Sequence, residues 1–465
     1  MGALGSTRLR GLKAGVYGSG GAPWHHLALL AAHGASVSVA RAQDIAGGIL
    51  DSLDVLVVPG GGATATAGML GPLGERGATA IRDWVERGGT YVGSCAGSVL
   101  PLSLAGQAAE ANPIAGCMNM VGARLANSGD AILGGLASPG VGTIRVRLAP
   151  DHPFTEELPE TIEIVHYNGP LFELPGSDGQ VEAFAWPESA TASFTHAEEF
   201  LPTGSPQEGG FVLEACIAAG AATGLVARHG QGSVVLFGSH PEFGLGPIGL
   251  GWGHSSRLLV NALAGTNARS SGETSAWEIH ATQPQDTAEQ LARAVAAALA
   301  FAAARFNRLT NTPPRGWLHP AVAPGFHGLT AAQVWKREAQ AAAAAAETAG
   351  SALLNLAPYL GKEATPWLDD APRDDQDFGA MGLLQLVTRV HEFLDEAEKS
   401  ASLPPQTPVH AYDLFDSHPY HLSTASYLSA AGLVAGCTLL VALLHSLAGQ
   451  SNESLERLLW LQHHD

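Results

Sequence analysis

Two short stretches hold the residue types that acyl chemistry needs. Gly93-Ser94-Cys95-Ala96-Gly97 sets a thiol between glycines, and Ser239-His240-Pro241-Glu242 sets an imidazole two residues from a carboxylate. A cysteine attacks as the thiolate, so it needs a base within hydrogen-bond reach, and the base needs a third group to fix its tautomer. His240 and Glu242, two apart in an extended segment, can supply both from one strand end. A third stretch, Pro59-Gly60-Gly61-Gly62, lets the backbone approach a reacting carbonyl and offer N–H groups to an oxyanion. The residue after the nucleophile, Ala96, supplies a second N–H.

Each of these stretches follows an apolar run with the length and composition of a buried strand. Val55 to Val58 leads into the glycines, Thr90 to Val92 into Cys95, and Val234 to Phe237 into His240. The cysteine therefore reads as the apex of a strand–turn–helix elbow, with the apolar Val99-Leu100-Pro101-Leu102 continuing as helix. A helix N-terminus at that point favours thiolate. Further strands are expected at Leu12 to Tyr17 and Ser36 to Ala40, and helices at Pro23 to His33 and Glu75 to Arg87. Ile81, Trp84 and Val85 share one face of the latter. Strands and helices in alternation predict a doubly wound, mainly parallel α/β sheet of flavodoxin-like type, whose ligands bind at the strands' carboxyl ends. Between Ile114 and Phe200 short alternating strands, such as Thr143 to Leu148 and Ile162 to Tyr167, predict an antiparallel extension. Gly230-Gln231-Gly232 is expected to turn a hairpin that delivers His240, and Trp252 to Ala264 to form the closing helix.

Pro-Gly-Gly, then Gly-x-Cys-x-Gly, then His-Pro-Glu resembles the pattern of class I glutamine amidotransferase-like domains. The phrases Arg87 to Gly97, His166-Tyr167-Asn168-Gly169-Pro170-Leu171-Phe172 and Gly238 to Phe243 are most similar to the amidotransferase-like N-terminal domain of biotin–protein ligases. The resemblance covers about residues 10 to 265. It implies Cys95 as nucleophile, His240 as base, Glu242 as orienter, and Gly61 with Ala96 lining the oxyanion hole. Gly60, Gly62, Ser94, Tyr167 and Asn168 are then the expected substrate contacts. Two departures accompany it. Where many amidotransferases carry a glutamine that holds substrate, this chain has Val99, and nothing resembles the biotinyl-adenylate loop of a biotin ligase core.

The expected reaction is thus cysteine-dependent hydrolysis or amide transfer on a small-molecule amide or peptide-like substrate, without cofactor or metal. The alternatives are a non-catalytic binding or regulatory module on the same fold, and a peptidase-like hydrolase. Residues 1–265 form the expected amidotransferase-like domain, 266–285 a polar linker, and 286–465 an all-α bundle of up-and-down type. That bundle offers a surface for a homo-oligomer or a partner protein.

With 465 residues, two or three domains are expected. A net charge of −19 argues against non-specific nucleic-acid binding. Four scattered cysteines without finger spacing point to a reducing cytoplasm. The start lacks the pattern of a signal peptide, and Met1 to Ser6 match a short myristoylation pattern that an ordinary small-residue start also explains. Leu422 to Leu447 carries no formal charge, but its Ser, Thr and His content predicts a buried helix rather than a membrane span. Gly432 and Gly436 would mark a close contact within the bundle. His410, Asp413, Asp416, His418 and His421 are spaced for a divalent metal or, more simply, for a helix-entry loop. His25 and His26 lie near the sheet's carboxyl end, where they would line the pocket, with exposure on the surface as the simpler expectation.

Overall fold

The computed structural model describes residues 8–19, 23–60, 65–103, 118–128, 137–174, 180–200, 210–244, 250–266, 286–312, 331–370, 382–401 and 430–459. Its centre is a run of short strands. β1 (Lys13–Tyr17), β2 (Ser36–Ala40), β3 (Val55–Val58), β4 (Thr90–Ser94) and β12 (Gly232–Phe237) pair in parallel in the order β12-β4-β3-β1-β2. This is the flavodoxin-like order, with β12 in the fifth place. β3, β4 and β12 are buried on both faces, and β2, at the edge, is half-buried.

Side chains two apart share a face, so each strand feeds two cores. Val55, Val57, Val92, Val235 and Phe237 face α1 (Trp24–Ala32) and α7 (His254–Thr266). Leu56, Val58, Tyr91, Val234 and Leu236 face the other way, with Ile81, Trp84 and Val85 of α3 (Ala65–Glu86). α2 (Ala42–Ala46) packs on α3. The third helix begins ten residues before the expected Glu75 and kinks at Gly74, where φ is 61°.

Beyond β12 the sheet turns antiparallel, as the alternating strands predict. β11 (Gly224–His229) makes the expected hairpin with β12, and β9 (Val181–Ala190) and β6 (Gly140–Leu148) follow. β7 (Thr161–Tyr167) and the short β10 (Thr195–His196) both pair with β6. β5 (Arg124–Leu125) and β8 (Phe172–Glu173) form a separate two-stranded piece. The short helices α4 (Ala96–Val99), α5 (Ala197–Phe200) and α6 (Val212–Ala218) complete this half.

After residue 286 the described elements are helical: α8 (Asp286–Leu309), α9 (Ala331–Leu356), α10 (Thr365–Leu368), α11 (Leu383–Ala401), α12 (Ala430–Leu447) and α13 (Glu453–Leu459). α8 packs on α9 and α11, and α12 packs on the same two. The passage from α9 to α11 therefore crosses a diagonal, which departs from the expected up-and-down order. Among the described residues of that passage are two 3-10 turns and α10.

α12 also packs on α1, so neighbours surround it and its side chains from Gly432 to His445 are all buried. Burial inside protein is the reason this stretch is uncharged. Among the described residues no helix is long and apolar enough to cross a membrane. Gly436 does not mark a contact within the bundle: a Cβ there would lie 3.0 Å from the ring of Trp24 in α1. One apolar cluster runs from the sheet through α1 and α7 into α8, α9, α11 and α12. An Arg41–Asp370 ion pair and a 3.0 Å bond from the Trp252 N–H to the Leu459 carbonyl join the two halves as well.

Candidate functional site

Cys95 follows β4 directly and has φ 48° and ψ −117°, a conformation that costs a non-glycine residue energy and persists only where its surroundings impose it. Three hydrogen bonds impose it here. The Cys95 N–H donates to the Phe237 carbonyl of β12 (2.8 Å), the Ser98 hydroxyl donates to the Cys95 carbonyl (2.6 Å), and the Tyr91 phenol donates to the Gly97 carbonyl (2.5 Å). Burial, and then nearby Tyr17, hold the Tyr91 phenol well above its ordinary pKa, so it remains a donor. The glycines are needed for close approach: a Cβ on Gly97 would lie 2.1 Å from the Val58 carbonyl oxygen, and one on Gly93 2.5 Å from that of Gly97. The helix after the turn stops at Val99, whereas Leu102 bridges to Val121. Any helix-dipole effect on the thiol is therefore that of one turn.

His240 and Glu242 follow the end of β12. His240 Nδ1 and Glu242 Oε1 are 2.8 Å apart, and each residue is 1% exposed. The His240 N–H donates to the Val165 carbonyl of β7 (2.8 Å), so the antiparallel extension anchors the segment. Phe243 stacks on the imidazole at 4.3 Å between centroids, and Tyr167 meets it edge-on at 5.8 Å. Burial pushes the His240 pKa down, but the adjacent Cys95 and Glu242 outweigh it and lift the value to about 10. Burial pushes Glu242 up, and His26 and His240 outweigh that, bringing it to about 2. Beside the Glu242 carboxylate the site thus favours the imidazolium form of His240.

The Cys95 sulfur and His240 Nε2 are neighbours rather than a formed pair. Sγ points to the Tyr167 carbonyl at 3.5 Å, and Nε2 has no hydrogen-bond partner among the described residues. Such bonds are often long or misaligned in unliganded enzymes and tighten with substrate. Cys95 is 8% exposed.

Gly60, at the end of β3, brings its backbone against this pair: a Cβ there would lie 2.6 Å from Cβ of Cys95 and 2.8 Å from Cε1 of His240. Ala96 opens the turn of α4, where helix N–H groups have no acceptor within the helix. Gly61 and Gly62 lie outside the described residues, as do His410, Asp413, Asp416, His418 and His421. Tyr167 is buried and offers its carbonyl to Cys95. Its phenol is raised by burial and then by the Glu338 carboxylate, which brings α9 within electrostatic reach of the site. Asn168 has φ 47°, receives a Ser138 hydroxyl on its side chain, and is half-buried. Val99 is fully buried in the apolar cluster with Leu100, Leu102 and Met118.

Ser94, an expected substrate contact, is fully buried and its hydroxyl faces His26 Nε2 at 3.3 Å. The expectation that His25 and His26 are exposed is wrong: they are 3% and 0% exposed. Both faces of α1 are covered, one by the sheet and one by α12. His26 Nε2 lies 3.5 Å from Oε2 of Glu242, which favours the pocket-lining alternative for His26 over exposure. The signal available was the helix itself, because Trp24 to Ala32 is apolar all round apart from its two histidines. A helix of that kind is buried on every side.

No protein family model matches the sequence, and no curated protein does. Similar solved structures include a provisionally assigned GMP synthase subunit from Thermoplasma acidophilum, 13% identical over 55% of this chain and 94% of that one, with a TM-score of 0.33. A cytoplasmic protein from Salmonella typhimurium is 11% identical over 55% of this chain and 98% of that one, with the same score of 0.33. A glutamine amidotransferase from Thermotoga maritima is 13% identical over 51% of this chain and 78% of that one, with a TM-score of 0.28.

Proposed function

We propose that the protein is a cysteine-dependent hydrolase or amidotransferase-like enzyme acting on an amide or related acyl group. The observation that carries this reading is the 2.8 Å His240–Glu242 contact, fully buried, beside a cysteine on a strained turn. In the proposed reaction the Cys95 thiolate attacks the carbonyl carbon and a C–S bond forms. The oxyanion is received by the Ala96 N–H and the glycine backbone after β3. As the oxyanion collapses, the C–N bond breaks and His240 gives its proton to the leaving amine. His240 then takes a proton from water, the hydroxide attacks the thioester, and the acid leaves as the thiol is regenerated. Glu242 holds the imidazole in the required tautomer throughout.

The substrate is a small amide or peptide-like molecule. Val99, buried among apolar neighbours, offers no amide contact, so glutamine would have to be held by other groups. The finer likeness to the N-terminal domain of biotin–protein ligases rests on the three sequence phrases around Cys95, Tyr167 and His240. The helical half serves in this reading as the support of α1 and as the surface for a partner or second copy. The test is intact-mass analysis after incubation with glutamine, other primary amides and short peptides. An acyl adduct that is absent from Cys95→Ala supports the reading; turnover of a verified substrate by Cys95→Ala at the wild-type rate defeats it.

A second reading, a binding module without turnover, is favoured by one observation: the sulfur is turned to the Tyr167 carbonyl instead of Nε2. It predicts reversible ligand binding with no adduct.

A further inference from the structure

We propose that His26 is a positioning residue of this site: its imidazole supports the second oxygen of Glu242, so that the carboxylate stays anionic and holds His240 for Cys95. The inference rests on the cysteine-nucleophile reading.

Glu242 is 1% exposed, and a buried carboxylate whose oxygens lack donors is costly and tends to take up a proton. Oε1 is served by His240 at 2.8 Å, whereas Oε2 has no partner of full hydrogen-bond geometry among the described residues. The group facing Oε2 is His26 Nε2, 3.5 Å away, and the same nitrogen lies 3.3 Å from the Ser94 hydroxyl. An anionic oxygen on one side selects the tautomer with the proton on Nε2, which points an N–H at the carboxylate and leaves the buried Nδ1 as a bare lone pair. Ser94 immediately precedes Cys95, so the serine hydroxyl, the second imidazole, the carboxylate and the first imidazole form a row that starts on the nucleophile strand and ends beside its cysteine.

The charges agree with this arrangement. Burial, opposed by Glu242 and assisted by His240, lowers the His26 pKa, so it is a neutral donor at neutral pH. Other titratable groups around it do not compete. His25 turns its ring to Phe243 (4.6 Å), and on α12, which packs against α1, His445 Nε2 faces the Ala352 carbonyl of α9. The Cys437 thiol is pushed far up by burial. Without His26, the second oxygen of Glu242 would lose the polar group that faces it, and the carboxylate would take a proton more readily. His240 would then lose its anionic partner, and with it the proton that keeps Cys95 reactive.

The test is the rate at which iodoacetamide modifies Cys95 in the full-length protein from pH 5 to pH 9, read by peptide mass. Cys216 and Cys437 are buried, and burial lifts Cys216 to about 11, so their peptides serve as slow internal controls. His26→Leu is expected to slow labelling at pH 6 by about tenfold, the equivalent of one pKa unit, and to move the profile to higher pH. His26→Gln, whose amide N–H reaches the place of Nε2, is expected to regain most of that loss. A merely structural role would lower the melting temperature of both variants alike and leave the profile unmoved. A His26→Leu profile that coincides with wild type, or a Gln variant as slow as Leu, overturns the proposal while the nucleophile reading stands. Wild-type Cys95 labelling like an ordinary thiol overturns both. Should His26→Leu not fold, His26→Asn carries the test, since its shorter amide reaches the place of Nδ1 rather than Nε2: a slowed profile moved to higher pH supports the proposal, and an unmoved profile overturns it.

Discussion

Gly60 and His240 stand so close that a Cβ on the glycine would lie 2.8 Å from Cε1 of the imidazole, and Cβ of Cys95 is equally in its way at 2.6 Å. The end of β3 is thus the wall against which base and nucleophile are set. Gly60→Ala must push one of them aside, and a displacement near 1 Å costs about 10²-fold in rate. We expect Cys95 acylation or labelling to fall by about that factor while circular dichroism stays that of the wild type. An alanine variant with undiminished reactivity would show that the contact is slack.

The paired charges of His240 and Glu242 fix a pH window for stability. His240 is raised from 6.5 to about 10, so its contribution is complete below pH 6.5 and is lost as pH rises through about 10. Glu242 is lowered from 4.5 to about 2, so its contribution is complete above pH 4.5 and is lost as pH falls through about 2. Glu242→Gln should therefore lower Tm most between pH 4.5 and 6.5, by the equivalent of about 3–5 kcal/mol for a broken buried pair. Calorimetry of both proteins across that range checks it.

His166 works in the opposite sense. It is fully buried, its Nδ1 pairs with the Ser239 hydroxyl at 3.0 Å, and burial first, then His240, depress its pKa to about 3. Between pH 6.5 and about 3 the unfolded chain binds a proton there that the folded chain refuses, so stability falls with pH. His166→Asn, which keeps a polar atom near Nδ1, is expected to show a shallower loss of Tm from pH 7 to pH 4 than wild type.

Val99 separates packing from substrate recognition. Because it is fully buried among apolar side chains, Val99→Gln should leave an amide unpaired in the core and destabilise by about 1–3 kcal/mol. Glutamine use should not improve. A stable variant with faster glutamine turnover would mean that this position faces the substrate.

The candidate residues could be picked out because each sits at the end of an apolar strand, and several glycines occupy positions where a Cβ would strike backbone. The two cores follow from alternation within each strand, with Val55 and Val57 on one face and Leu56 and Val58 on the other. His26 was not legible from motif spacing, since its role comes from α1 being enclosed between the sheet and α12, a contact between elements some four hundred residues apart in sequence. The same enclosure explains Gly436, whose neighbour proved to be Trp24. The diagonal path from α9 to α11 depends on packing choices among several apolar faces, which periodicity alone leaves open.

The central claim is that His240 is an imidazolium held between Cys95 and Glu242. Nitrogen NMR of histidine-labelled protein, with His240 assigned by comparison with His240→Gln, reads this directly. At pH 8 the account predicts both ring nitrogens of His240 protonated in the wild type, and the proton lost at a lower pH in Cys95→Ala, where only Glu242 is left to raise it. A neutral His240 at pH 8 in the wild-type protein would contradict it.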